Sequence, residues 1–270
     1  MQTLWPRKQN TSQDDTIDDA ELERIYDYPE PLNRPWVQVS FVCSADGAVT
    51  VGGRAAGLSS PGDKKVFGLS RDLADVVLVG IGTAMVEGYR GIKPSELRTE
   101  RRQRLGLSPV PPIAVVTRRC SLAPESPLLT DTLVRPLVVT CAAAPADRRA
   151  ALAEAGADVI VAGEQDVDLR AALTALADRG LRRISCEGGP TLFASMIDED
   201  LVDQLCLTVS PLLAGGDASR IAVGPLPERP TNLTLASVLY DDGSLMLRYR
   251  RDQSSQRRGE GGGNGRTDAR

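Results

Sequence analysis

Between residues 36 and 251, short runs of Val, Ile and Leu alternate with Ala-, Leu- and Arg-rich stretches of helical period. The apolar runs predict strands at residues 37–42, 76–80, 113–117, 137–140, 158–162, 183–187 and 205–209. The stretches between them predict helices at residues 61–71, 95–105, 146–155, 169–179 and 190–197. Near-continuous apolar strands separated by helices belong to α/β folds, whose parallel strands are covered on both faces. The rhythm changes near the end, where residues 233–239 and 245–250 flank Tyr240-Asp241-Asp242-Gly243-Ser244. Asp-Gly supplies the positive φ of a tight hairpin turn. The predicted sheet is therefore mixed, mainly parallel, and ends in an antiparallel hairpin.

The two ends read differently from this body. Residues 1–30 carry eight acids against three bases and show no sustained period before residues 20–26, so residues 1–35 read as a loose acidic arm with one helical turn. Residues 252–270 include Arg-Arg-Gly-Glu-Gly-Gly-Gly-Asn-Gly, which cannot bury enough apolar surface to offset its ordering entropy and reads as a disordered tail. One domain, residues 36–251, lies between them. With 41% hydrophobic residues, 25% charged residues and a net charge of −4, the protein has neither a nucleic-acid footprint nor an apolar run long enough for a membrane span. The five cysteines, Cys43, Cys120, Cys141, Cys186 and Cys206, form no C-x-x-C pair and read as buried free thiols in a reducing, cytoplasmic setting. There is no histidine, which removes imidazole bases and imidazole metal ligands, and no metal site is expected.

Chemistry has to come from loops at the ends of strands. Val79-Gly80-Ile81-Gly82-Thr83 takes a buried strand into a glycine turn and a helix, although the full dinucleotide fingerprint is absent because the next glycine is Gly88. Ile184-Ser185-Cys186-Glu187-Gly188-Gly189-Pro190-Thr191-Leu192 ends a strand in paired glycines, with Pro190 at the first helical position. The N–H groups of such a turn can hold a pyrophosphate at a helix N-terminus. Thr117-Arg118-Arg119 places cations at the same edge, where an arginine can pair with the 2′-phosphate of NADPH or stand as a solvated loop residue. Two acids compete as substrate anchors: Asp46 in Ser44-Ala45-Asp46-Gly47, also a plain turn signal, and Asp63 after Ser60-Pro61, also explicable as part of a capping box. Residues 93–112 hold five basic and two acidic residues and read as a surface helix followed by a stiff connector.

Taken in order, Ser44-Ala45-Asp46-Gly47, the strand and loop 74–83, Glu187-Gly188-Gly189-Pro190-Thr191-Leu192, Leu201-Val202-Asp203-Gln204-Leu205 and Pro211-Leu212-Leu213-Ala214-Gly215-Gly216 resemble the C-terminal reductase domain of bacterial riboflavin-biosynthesis deaminase-reductases. The likeness spans about residues 36–250. It implies a dihydrofolate-reductase-like, three-layer α/β/α fold, NADPH as hydride donor, a pyrimidine or pterin as acceptor, and a homodimer. By position it implies that Gly80, Thr83, Thr117, Arg118, Gly188, Gly189, Pro190, Thr191 and Leu192 bind the cofactor. Ser44, Asp46, Asp63 and Glu187 would bind substrate, with Asp63 the acid at the reacting ring. The zinc motif of the paired deaminase is missing, so the resemblance is to a stand-alone reductase. One stretch departs from the family: where members carry an Asp-Asn-Pro-like segment ending in Thr-Val-Arg, this sequence reads Ala84-Met85-Val86-Glu87-Gly88-Tyr89-Arg90. The expected activity is reduction of 5-amino-6-(5-phosphoribosylamino)uracil. Dihydrofolate or dihydropterin reduction at the same site, and a silent nucleotide-binding protein, remain as alternatives.

Overall fold

A computed structural model describes residues 1–6 and 16–252. Its strands are β1 (Gln2–Trp5), β2 (Trp36–Ser44), β3 (Val76–Gly80), β4 (Ile113–Val116), β5 (Leu137–Thr140), β6 (Asp158–Val161), β7 (Arg183–Cys186), β8 (Gln204–Ser210), β9 (Leu233–Asp241) and β10 (Ser244–Arg251). Its helices are α1 (Asp19–Tyr26), α2 (Pro61–Leu73), α3 (Ile81–Val86), α4 (Glu96–Arg104), α5 (Pro127–Thr130), α6 (Ala146–Glu154), α7 (Leu169–Ala177) and α8 (Pro190–Asp198). One sheet runs β1-β9-β10-β8-β2-β7-β3-β4-β5-β6. Every pair from β8 to β6 is parallel, and β10, β9 and β1 add antiparallel strands at the other end.

Side chains two apart on a strand share a face, and β3 shows how this builds three layers. Val76 and Leu78 join a core with Leu173 and Leu176 of α7 and Phe193 and Met196 of α8. Val77 and Val79 point the other way, to a core with Leu128 of α5 and Leu152 of α6. On that second face, nearer β8 and β10, Leu22 and Tyr26 of α1 pack with Val66, Leu69 and Leu73 of α2 over Cys206 and Met246. The hairpin turn has Asp242 at φ +45° and Gly243 at φ +80°, as the Asp-Gly pair demands.

Two readings of the sequence are corrected. The described part of residues 1–35 is not a loose arm: Ile17, Leu22, Tyr26 and Tyr28 are buried, and β1 pairs antiparallel with Val238–Tyr240 of β9. The groove that receives these few apolar residues exists only after the sheet has formed, so a local pattern could not show it. β1 also covers part of the hairpin edge that would otherwise stand open. The basic stretch 93–112 is more than a surface helix. Arg102 of α4 is fully buried, and its Nη1 donates to the carbonyls of Arg71, Asp72 and Ala74 at 3.2, 3.0 and 2.6 Å, supplying donors for the carbonyls at the end of α2. The tail beyond residue 252 lies outside the described residues. All five cysteines are free and buried, as read from their spacing.

Candidate active site

Helix α2 starts where Ser60 accepts from the Asp63 N–H at 3.1 Å and Pro61 takes the first helical position. Its axis is fixed at the other end by Arg102 and in the middle by Ser70, whose hydroxyl accepts from Gln38 Nε2 at 3.2 Å. Gln38 in turn accepts from Gln204 Nε2 at 2.6 Å, so a buried relay of amides ties the helix to β2 and β8. This rigid placement sets Asp63, Phe67 and Arg71, spaced four apart on one helical face, along a cavity of about 520 Å³. Asp63 is 9% exposed, and its carboxylate accepts from the Ser59 hydroxyl rather than closing a capping box.

At the far end of the cavity Glu187 is buried and takes both Nε and Nη2 of Arg71, at 2.6 and 2.7 Å. The Tyr89 hydroxyl donates to the same carboxylate at 2.5 Å. Burial works against the Arg71 charge, and Glu187 more than offsets it, so its pKa stands above the ordinary arginine value. Burial, reinforced by Glu187, pushes the Tyr89 phenol well above its usual range and keeps it protonated. Among the described residues Arg71 Nη1 makes no hydrogen bond, and with Lys64 the arginine gives the cavity a cationic side. Tyr89 stands in the stretch that departs from the family pattern. Sequence reasoning missed its role, like that of Arg71; the 63/67/71 spacing was the signal that could have found the arginine.

The two glycine turns meet beside this cavity. Gly80 N–H donates to the Gly188 carbonyl at 2.8 Å, and the Gly188–Gly189 peptide is cis. A side chain on Gly189 would put Cβ 2.3 Å from Thr83 Oγ1, and one on Gly188, at φ +82°, would put it 2.8 Å from the Phe41 ring. The backbones approach this closely only because both residues are glycine. The helices that follow, α3 and α8, start at Gly80 and Gly189 with no side-chain cap on their first N–H groups. These donors fit an anionic cofactor. Thr83 and Pro190 line the cavity itself, while Thr191 and Leu192 continue α8 behind the turn.

The other expected residues lie apart. Thr117 is buried and accepts from the Ser121 N–H at 3.2 Å. Arg118, at the end of β4, pairs with Asp166 at 2.7 Å, both largely exposed. Asp46 lines a second hollow of about 380 Å³, and Ser44, just before it in sequence, is buried. There Asp46 accepts from the Ser44 hydroxyl and from the N–H groups of Ala214 and Gly215 at 3.1 and 2.8 Å, which lowers its pKa to about 2. Its geometry is that of a tie between the 44–47 turn and the loop after β8. Among the described residues no group of three Cys, Asp or Glu could hold a metal ion, and no helix is long and apolar enough to cross a membrane.

The family model of the RibD C-terminal domain matches residues 35–247. A 2,5-diamino-6-ribosylamino-4(3H)-pyrimidinone 5′-phosphate reductase from Archaeoglobus fulgidus is 35% identical over 185 residues, covering 68% of this protein and 83% of the relative. Among solved structures, a pyrimidine reductase-like protein from Corynebacterium diphtheriae superposes with a TM-score of 0.74 at 26% identity, covering 86% of this protein and 99% of that one. The riboflavin biosynthesis reductase Rib7 of Saccharomyces cerevisiae shares the fold, with a TM-score of 0.65 at 17% identity over 86% of this protein and 98% of its own length.

Proposed function

The protein belongs to the RibD C-terminal domain family, and on that premise we propose that it is an NADPH-dependent reductase of a ribosylaminopyrimidine phosphate in riboflavin biosynthesis. The observation that carries this reading is one cavity with a carboxylate, Asp63, at one end and the paired glycine turns, through Thr83 and Pro190, at the other. The cofactor would lie across the turns at Gly80 and Gly188–Gly189, its pyrophosphate on the first N–H groups of α8 and its adenosine end toward Thr117 and Arg118. When bound, its dihydronicotinamide supplies the hydride.

Asp63 takes the donor edge of the ring. The 2-amino and N3–H groups of a 2,5-diaminopyrimidinone are adjacent donors that one carboxylate accepts together, whereas a uracil offers a single N–H there beside a carbonyl. Of the two related pyrimidines the diamino compound therefore fits better, in keeping with what the Archaeoglobus relative is named for. Arg71 Nη1 and Lys64 would hold the ribosyl phosphate. The ribosyl C1′, in the ring-opened imine form, takes the hydride and the imine nitrogen takes a proton, giving the ribitylamino product. Holding the two reactants in line can supply roughly 7–11 kcal/mol of the acceleration. Ser44 and Asp46 would act by shaping the loop that borders the site.

A homodimer built on the β9–β10 hairpin and a cytoplasmic setting, which keeps the five thiols reduced, complete the reading. It is tested by following NADPH oxidation with the diaminopyrimidinone, the uracil and dihydrofolate side by side. Turnover is expected on the pyrimidines, faster on the diamino form.

A further inference from the structure

One residue in the cavity comes from outside the family-matched segment. Tyr26, the last residue of α1, lines the cavity beside Asp63 and Cys206, yet the family match begins at residue 35. It is 1% exposed, and among the described residues no group hydrogen-bonds its hydroxyl. The Tyr28 hydroxyl, also buried and unpartnered among the described residues, belongs to a residue outside the cavity lining, whereas Tyr26 is part of that lining.

We propose that Tyr26 contacts the substrate and helps determine specificity, its hydroxyl donating to the ring carbonyl that adjoins the edge taken by Asp63. This rests on the reading of the cavity as a pyrimidine site. A 2-amino-4-pyrimidinone presents donor, donor and acceptor in sequence along that edge. The carboxylate satisfies both donors and cannot serve the carbonyl, which needs a neutral or cationic donor next to it. The Ser59 hydroxyl is already spent on Asp63. Burial, above all, raises the Tyr26 pKa well beyond its usual value, so the phenol keeps the proton it would donate. Arg248, buried with Nε on Ser237 at 3.1 Å and Nη1 without a partner among the described residues, only partly counters that rise.

The rest of α1 holds the tyrosine in place. Asp18 caps its N-terminus, accepting from the Glu21 N–H at 2.7 Å. Asp19 pairs with Lys65 of α2 at 2.6 Å, and Glu23 pairs with Arg101 and Arg104 of α4 at 3.0 and 2.7 Å. The helix thus docks on the two elements that fix Asp63.

The test is Tyr26→Phe in the full-length protein, which keeps the ring and removes only the hydroxyl. The Kd for the diaminopyrimidinone phosphate, by calorimetry, and its KM should both rise about tenfold, with NADPH affinity and melting temperature unchanged. Glu23→Gln, which loosens α1 without touching the cavity, should lower the melting temperature and raise that KM by less than Tyr26→Phe does. Wild-type affinity in Tyr26→Phe would overturn the proposal, as would a loss that appears only in Ser40→Ala, whose buried cavity hydroxyl also has no partner among the described residues. If the wild-type protein binds the pyrimidine without reducing it, the functional reading fails while the comparison of Kd values still decides the role of Tyr26. If it does not bind, both fall.

Discussion

At Asp63 two roles that a sequence pattern cannot separate come apart in space. The backbone N–H of Asp63 is what Ser60 caps, and the carboxylate is left to face the cavity. Asp63→Asn keeps the cap and one acceptor but loses the charge-assisted pair. It should therefore cost roughly 1.5–3 kcal/mol in kcat/KM for the pyrimidine, with NADPH affinity unchanged. Wild-type kinetics with a small fall in melting temperature would return Asp63 to a purely structural role. A second prediction concerns Arg118, which is not the free cation its position in the sequence suggests, because Asp166 shares it. An exposed pair of this kind is weak, so a 2′-phosphate can displace it. Arg118→Ala should shrink the preference for NADPH over NADH, and Asp166→Asn should widen it, both read from the Kd ratio by calorimetry. Acids and glycines at strand ends were legible from local spacing. Tyr89 and Tyr26 were not, since each acquires its place only when distant segments converge on Glu187 or Asp63, and Arg71 was marked only by its spacing from Asp63.

Among the elements, strands were the most legible because β3, β4 and β5 are apolar on both faces and bounded by polar turns. Helix α5, four residues long, escaped because so few residues set no period, and α3 was read only as a helix following the glycine turn, without bounds. β1 escaped because its pairing with β9 is non-local, and α4 was found but misjudged, since nothing local marks Arg102 as buried. That arginine is the most testable element contact. Arg102→Ala would leave the carbonyls of Arg71, Asp72 and Ala74 without their donor and open a void, a loss of about 3–5 kcal/mol by denaturant unfolding. The turn at Asp46 supplies a pH test. Its pKa is lowered, by the Ser44 hydroxyl first and then by the Gly215 and Ala214 amides, to about 2 from an ordinary 3.8. The tie is thus fully present above the ordinary value and is lost as pH falls through about 2. Hydrogen exchange at Ala214 and Gly215 should accelerate, relative to the neighbouring strand amides, between about pH 4 and pH 2, and Asp46→Asn should abolish that step.

For the whole molecule, the sheet ends in a surface that one protomer leaves partly open. Leu235, Tyr240 and Leu245 are exposed on the hairpin, and β1 pairs only with Val238–Tyr240 of the outer strand. Pairing of two copies over this end would bury those side chains, so sedimentation at micromolar concentration should give a dimer, and Leu245→Lys should shift it toward monomer. The central claim is hydride transfer to a pyrimidine held by Asp63, and one measurement reaches it most directly: single-turnover oxidation of NADPH by the wild-type protein with the diaminopyrimidinone phosphate, with the product identified by mass. The account predicts stoichiometric oxidation and a product two hydrogens heavier than the substrate, with dihydrofolate unreacted. NADPH left intact with the pyrimidine bound, or oxidised only in the presence of dihydrofolate, would contradict it.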